Sequence, residues 1–154
     1  WLSDYYAGSG ANFIVALVTV PASLSAGQII AGGQGPSPDF NRCWLGVLNT
    51  NGFLRGGVGD TASIFGTTDL RGAEVVVGMS LNGSTVRMFT NANQETEVAQ
   101  SGTLNTTISW RIGALNNDAT AASFFGGSVK KLVAGREFLT LSRYLQIRNA
   151  LLAA

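Results

Sequence analysis

The segment EVVVGMSLNGSTVRMFT, Glu74–Thr90, constrains the fold more than any other part of the chain. Two apolar, β-branched runs, Glu74–Leu81 and Ser84–Thr90, flank Asn82-Gly83. An Asn-Gly pair between such runs is the strongest short-range signal for a β-hairpin. In the second arm Val86, Met88 and Thr90 alternate with Thr85, Arg87 and Phe89, so the arm presents two different faces.

The rest of the chain repeats this theme. Short runs of Val, Ile, Phe and Thr lie between Gly, Asn and Ser clusters, with 20 glycines spread throughout and only 3 prolines. That pattern belongs to an all-β sandwich or barrel. Asn12–Val20 (NFIVALVTV) is almost continuously apolar, which predicts a strand buried on both faces, and Pro21 ends it. Further strands are predicted at Gln28–Gly32, Arg42–Leu48, Phe53–Val58, Thr107–Gly113 and Gly127–Ala134. Glu95–Ser101 is more polar and reads as an exposed edge. Gly32–Phe40 (GGQGPSPDF) reads as a loop. Asn51-Gly52 signals a second hairpin, because both central positions of a type I′ turn need positive φ. From Leu139 onward the period becomes helical: Leu141, Tyr144, Leu145, Arg148 and Leu152 share a stripe widened by Ile147 and Leu151. A helix is predicted over Leu141–Leu152, capped by Thr140 and covering an open edge or end of the sandwich.

Composition then removes whole classes of function. The 154 residues fit a single domain, 1–154. Charged residues make up 12%, about half of the ~25% usual for a soluble domain, so Asn, Thr, Ser and Gly carry the surface. Such a surface suits a large assembly or an extracellular setting. The net charge of +1 argues against binding a phosphate backbone, and no nucleic-acid partner is expected. The chain has no histidine, which excludes Ser-His-Asp and Cys-His catalysis and every His-ligated metal. Cys43 is the single cysteine, so it forms no internal disulfide and reads as a small buried apolar residue. The longest apolar run, Phe13–Val20, falls short of the ~20 residues that span a bilayer, and no basic region precedes it. Because the sequence starts at Trp1, it is expected to be the C-terminal part of a longer or processed chain.

Leu70–Asn93, LRGAEVVVGMSLNGSTVRMFTNAN, resembles the core hairpin of concanavalin A-like, or laminin-G-like, jelly-roll domains. There a strand passes through a short Asn/Asp-Gly turn into a strand that ends in an aromatic and a small turn, here Phe89 and Asn91–Asn93. A second block is similar in order and spacing: Arg111-Ile112-Gly113, a variable loop Ala114–Ser123, Phe124-Phe125-Gly126-Gly127, the strand Val129–Val133, and Phe138-Leu139-Thr140 opening a helix. The resemblance implies an all-β, two-sheet antiparallel jelly-roll sandwich with a short C-terminal helix, its sheets ~10 Å apart. It also implies the kind of domain found in bacteriophage and bacterial surface proteins. Function does not follow from this fold, which serves lectins, glycanases, adhesive domains and inert structural modules alike.

Three chemistries each compete with a plainer reading of the same residues. Glu95 and Glu97 would share a strand face at period two, as a glycanase pair would, but a polar exposed strand explains them better; Glu74 has no acidic neighbour. Calcium wants six to eight oxygen ligands, and the richest oxygen cluster, Asn116-Asn117-Asp118, with Asp60 elsewhere, would make a weak calcium site at best, so no cofactor is expected beyond that weak alternative. Sugar binding needs an aromatic face and planar amides or carboxylates. Asn116, Asn117 and Asp118 on one rim loop with Phe124 or Phe125 beside them, and Asp39 and Asn41 flanking Phe40 in the proline loop, could supply them. Phe125, Trp110 and Trp44 are expected in the core. Gly32-Gly33-Gln34-Gly35 lacks the Lys-Ser/Thr of a phosphate loop, and Lys130-Lys131 is no nucleic-acid stripe.

The leading expectation is therefore a non-enzymatic structural or adhesive module of a bacteriophage virion, oligomeric in its assembly and contacting other virion subunits or a host surface. The alternative is a carbohydrate-binding module that uses its rim loops on a cell-surface glycan. A glycoside hydrolase is a distant third. Both leading settings are virion or extracellular, with no membrane insertion.

Overall fold

The computed structural model describes residues 11–34, 42–48, 50–59, 63–99, 110–117 and 120–154; at 34, 42, 116, 117 and 120 it describes the backbone alone. Among these described residues twelve strands and one helix follow in order: β1 Asn12–Thr19, β2 Gln28–Gln34, β3 Arg42–Val47, β4 Phe53–Gly59, β5 Ile64–Asp69, β6 Glu74–Leu81, β7 Thr85–Thr90, β8 Asn93–Ala99, β9 Arg111–Ile112, β10 Leu115–Asn117, β11 Thr120–Ala122, β12 Ser128–Gly135 and α1 Leu141–Ala153. They form two sheets. One has five strands in the order β12-β1-β6-β7-β8. The other has seven, in the order β11-β10-β2-β3-β4-β5, with β9 also paired to β2. Pairing is antiparallel except where β10 runs parallel to β2. The fold is the predicted all-β jelly-roll sandwich with one short C-terminal helix.

Alternation along each strand builds the core. Ile14, Ala16 and Val18 of β1, Cys43, Leu45 and Val47 of β3, Val75, Val77 and Met79 of β6, and Val86 and Met88 of β7 meet between the sheets. The other face of β1 is buried too. Phe13, Val15 and Leu17 join Val76, Phe89, Leu139 and Tyr144 in a second cluster. This explains why β1 reads as continuously apolar: one side meets the opposite sheet and the other meets α1.

The helix therefore sits on the outer face of the five-stranded sheet, not at an edge or end as expected. The reason is its seat. Tyr144 is fully buried, stacks on Phe89 with ring centroids 4.6 Å apart, and donates its hydroxyl to the Val76 carbonyl at 2.9 Å. Gly78 leaves room for it, since a Cβ there would lie 3.1 Å from the Tyr144 ring. Thr140 caps the helix as predicted, its hydroxyl accepting from the Arg143 amide at 3.2 Å. Ser80 Oγ accepts from the Leu139 amide at 2.8 Å, and Lys131 Nζ donates to the Leu151 carbonyl at 2.7 Å, so both ends are pinned to the sheet below.

Several local readings need correction. Neither Asn-Gly pair forms a two-residue type I′ turn. Gly52 (φ 72°) and Gly83 (φ 84°) take positive φ, but Asn51 and Asn82 do not. Each Asn side chain instead accepts backbone N–H groups: Asn51 from Phe53 at 3.1 Å, and Asn82 from Ser84 at 3.1 Å and Thr85 at 2.9 Å. An amide that satisfies the turn in this way removes the need for a second left-handed residue. The strand expected over Thr107–Gly113 is reduced, among the described residues, to Arg111–Ile112, and Ile112 is exposed. Residues 32–34 of the expected loop extend β2. The expected variable loop Ala114–Ser123 contains the short β10–β11 hairpin at the sheet's edge.

Candidate functional site

The two sheets differ in what covers them. Among the described residues α1 is the one helix, and it lies on the five-stranded sheet. The outer face of the seven-stranded sheet is built from the side chains that alternate with the core. Since Cys43, Leu45 and Val47 point inward, Trp44 points outward. There it is buried in a small cluster with Ile29 and Leu115. The Arg55 guanidinium lies 4.9 Å from the Trp44 ring and 5.9 Å from the Phe65 ring, and its Nη2 donates to Ser63 Oγ at 2.8 Å. The Trp44 indole N–H is buried and has no acceptor among the described residues. Trp44 is thus in a core as expected, but in a separate one outside the sandwich. Burial pushes the Cys43 thiol far up from its usual range and makes it an inert core residue.

Exposed apolar side chains lie on this sheet and on the connection that leaves it after β11. Phe65 of β5 is 43% exposed, Ile112 of β9 56%, and Phe124, between β11 and β12, 66%. Phe124 stands out because its neighbour Phe125 turns inward to the main core, as expected. A left-handed Ser123 (φ 48°) and hydrogen bonds from the Phe125 amide to the Gly113 carbonyl and from the Gly126 amide to Gln28 Oε1 fix that turn. Trp110 packs partly buried against the same core.

Of the predicted sugar ligands, Asn116 and Asn117 lie on β10, paired with Gly33 and Gln34 of β2. Phe124 follows β11 in the chain, between Ser123, whose carbonyl accepts from the Ile29 amide of β2, and Phe125, whose amide donates to the Gly113 carbonyl. Asp39, Asn41 and Asp118 lie outside the described residues, as does Asp60. Sequence reasoning missed Phe65, because β5 (IFGTTD) carries a glycine and three polar residues in six and gives no strand signal.

The paired-carboxylate reading is corrected. Opposite Met88 and Phe89 of β7, β8 places Thr96 and Gln94, so Glu95 is an extra, bulged residue. The bulge sends Glu95 towards β5, where it accepts from the Thr67 amide and the Thr67 and Thr68 hydroxyls. Glu97 instead accepts from Arg87 Nε at 2.7 Å, on the side where Arg87 covers Phe138 and reaches the Leu139 carbonyl. The two carboxylates do not share a face and serve no retaining mechanism together. Glu74 pairs with Lys130. The basic pair Lys130-Lys131 is thereby accounted for, one lysine on Glu74 and the other on the helix end. Beside Glu95 an open groove of about 430 Å³ is lined by Thr67, Thr68, Asn93, Gln94, Glu95 and Leu141. Among the described residues no three His, Cys, Asp or Glu side chains come together as a metal site.

No family model matches the chain, and no curated protein matches it. Solved structures do match in fold. The CBM40 domain of the Ruminococcus gnavus IT-sialidase superposes with a TM-score of 0.73 at 16% identity, covering 95% of this chain and 84% of that one. The same domain bound to alpha2,3 sialyllactose matches at 0.72, 16% identity, and 90% and 82% coverage. The leech intramolecular trans-sialidase matches at 0.71 and 14% identity, over 90% of this chain and 23% of its own. At these identities the likeness establishes the sandwich and its topology.

Proposed function

We propose that this chain is a non-catalytic carbohydrate-binding module that takes its ligand on the outer face of the seven-stranded sheet and along its β9–β11 edge. One observation carries the reading: the sheet that α1 leaves uncovered among the described residues exposes Phe65 on its outer face and Ile112 at its β9 edge, and Phe124 is exposed in the connection that follows β11. Exposed aromatic rings offer sugar C–H groups a stacking surface. Asn116, Asn117 and Phe124 remain the proposed ligands at one edge, with Phe65 at the other; Asp39, Asn41 and Asp118 stay proposed ligands that lie outside the described residues. The fold supports the reading, since the domain it matches over nearly its whole length is a carbohydrate-binding module. The separation of Glu95 from Glu97 speaks against glycoside hydrolysis. Low charge is what favours a virion subunit, and the sialidase and carbohydrate-binding neighbours favour a glycan partner instead. Such a module belongs outside the cell or on a surface.

A glycan array, run with and without calcium, tests this. Specific binding that Phe65→Ala and Phe124→Ala each weaken at least tenfold is the expected outcome. Silence on the array, together with a stable oligomer, would return the structural reading. Turnover of a glycan that depends on Glu95 or Glu97 would overturn both.

A further inference from the structure

The inference begins with two irregular stretches of strand that meet at one edge of the sandwich. In the β4–β5 ladder Phe53 pairs with Asp69 and Arg55 with Phe65. Between those pairs β4 has one residue, Leu54, and β5 has three: Gly66, Thr67 and Thr68. The β5 backbone must bow out of its ladder there, and its amides need acceptors elsewhere. Directly across the edge, β8 carries its own extra residue, Glu95. The surplus residue of one sheet fills the bow of the other. Glu95 Oε2 accepts from the Thr67 amide at 2.8 Å and the Thr67 hydroxyl at 2.6 Å, and Oε1 accepts from the Thr68 hydroxyl at 2.6 Å. Next to it, Thr96 Oγ1 donates to the Phe65 carbonyl at 2.7 Å. Gly66 packs closely here: a Cβ there would touch Glu95 Oε2 at 3.4 Å and crowd the Leu54 Cβ at 3.3 Å.

We propose that Glu95 is a positioning residue: its carboxylate ties β5 to β8 across the edge of the sandwich and so holds Phe65 against the proposed binding face. The part concerning ligand rests on the reading of that face given above; the tie itself does not.

The surrounding charges leave Glu95 to this role. On β5, Asp69 is paired with Arg71; on β8, Glu97 is paired with Arg87 of β7; on α1, Arg143 reaches Glu137. Tyr144 of α1 feels the Glu95 charge, and Arg148 opposes that effect. Burial pushes the Glu95 carboxyl up, but the Thr67 and Thr68 hydrogen bonds outweigh it and hold the carboxyl below the usual range. A depressed folded-state value means that the tie is fully present above the ordinary glutamate value of about 4.3 and is lost as pH falls through the lower folded value.

The test compares wild type with Glu95→Gln, using amide hydrogen exchange and a fluorine label on the Phe65 ring. In Glu95→Gln the Thr67 amide is expected to exchange about tenfold faster or more, the scale of a lost hydrogen bond to a charged group. The β6–β7 amides should stay protected, and the label should shift or broaden. Wild type should reach the same state once acidification passes the depressed folded-state value of Glu95, a control that needs no variant to fold. Thr67 protection unchanged in both arms overturns the tie. Faster exchange with an unmoved fluorine signal overturns the positioning of Phe65. Where a glycan is bound, Glu95→Gln should weaken it severalfold, and Phe65→Ala should abolish that difference. If wild type binds no glycan, the function reading fails while the exchange and fluorine results still decide the tie.

Discussion

Replacing Tyr144 tests how the helix is held. Its hydroxyl donates to the Val76 carbonyl, but that oxygen also accepts from the Asn91 amide at 2.8 Å. Tyr144→Phe therefore removes one hydrogen bond without orphaning its acceptor, which costs about 0.5–1.5 kcal/mol. For a domain of this size about 1 kcal/mol moves Tm by about 2–4 °C. Tyr144→Ala removes in addition the ring stacked on Phe89 over Gly78, an aromatic deletion worth about 3–5 kcal/mol, or about 6–20 °C. Calorimetry on the three proteins reads both values. Burial also raises the phenol well above its ordinary value. A raised folded-state value gives stability that is complete below the unfolded value of about 10 and declines as pH climbs beyond it. Wild type should thus lose stability above about pH 10 faster than Tyr144→Phe does. Equal Tm losses for the two variants, or no loss in either, would refute the seating of α1 on the sheet.

Other outcomes follow from single contacts. Thr140→Ala should cost about 1 kcal/mol, the value of an N-cap, measured by urea unfolding with an unchanged m-value. Cys43 should resist a thiol reagent in native protein and react promptly once unfolded, because it is buried and held protonated. Gly32→Ala would set a Cβ 2.2 Å from the Trp44 Cβ and 2.6 Å from the Cys43 carbonyl oxygen. Its cost, by thermal unfolding, should reach or exceed the about 1–3 kcal/mol of ordinary overpacking.

The sequence made some elements plain and hid others for physical reasons. The β6–β7 hairpin, β1 and α1 were legible because their signals are local: an Asn-Gly turn between two apolar runs, an unbroken apolar run in β1 that required cover on both sides, and a capping threonine before a helical stripe. β5, β10 and β11 were not. They are short and polar, and what holds them is non-local: β10 is held by a parallel pairing to β2, and β5 in large part by side chains of the opposite sheet. Bulges also escape a period-two reading. One inserted residue in β8 was enough to send Glu95 and Glu97 to different sides. At the candidate site, Phe124 could be named from its place before Gly126-Gly127, whereas Phe65 needed the position of β5.

The place of β1 in its sheet bears on how the chain comes to be folded. β1 lies between β6 and β12, with Phe13 opposite Ser80 on one side and Gly135 on the other, and α1 closes over its outer face. Every partner of this apolar strand is encoded far downstream. During synthesis it must wait, uncovered, until the last strand and the helix leave the ribosome. The β6–β7 hairpin, whose contacts are local, can form first and offer β1 an edge. Closure between residues more than a hundred positions apart is slow, and an apolar strand that waits is a hazard for aggregation. Chaperone demand and expression yield should accordingly depend more on the β12–α1 segment than on the binding face.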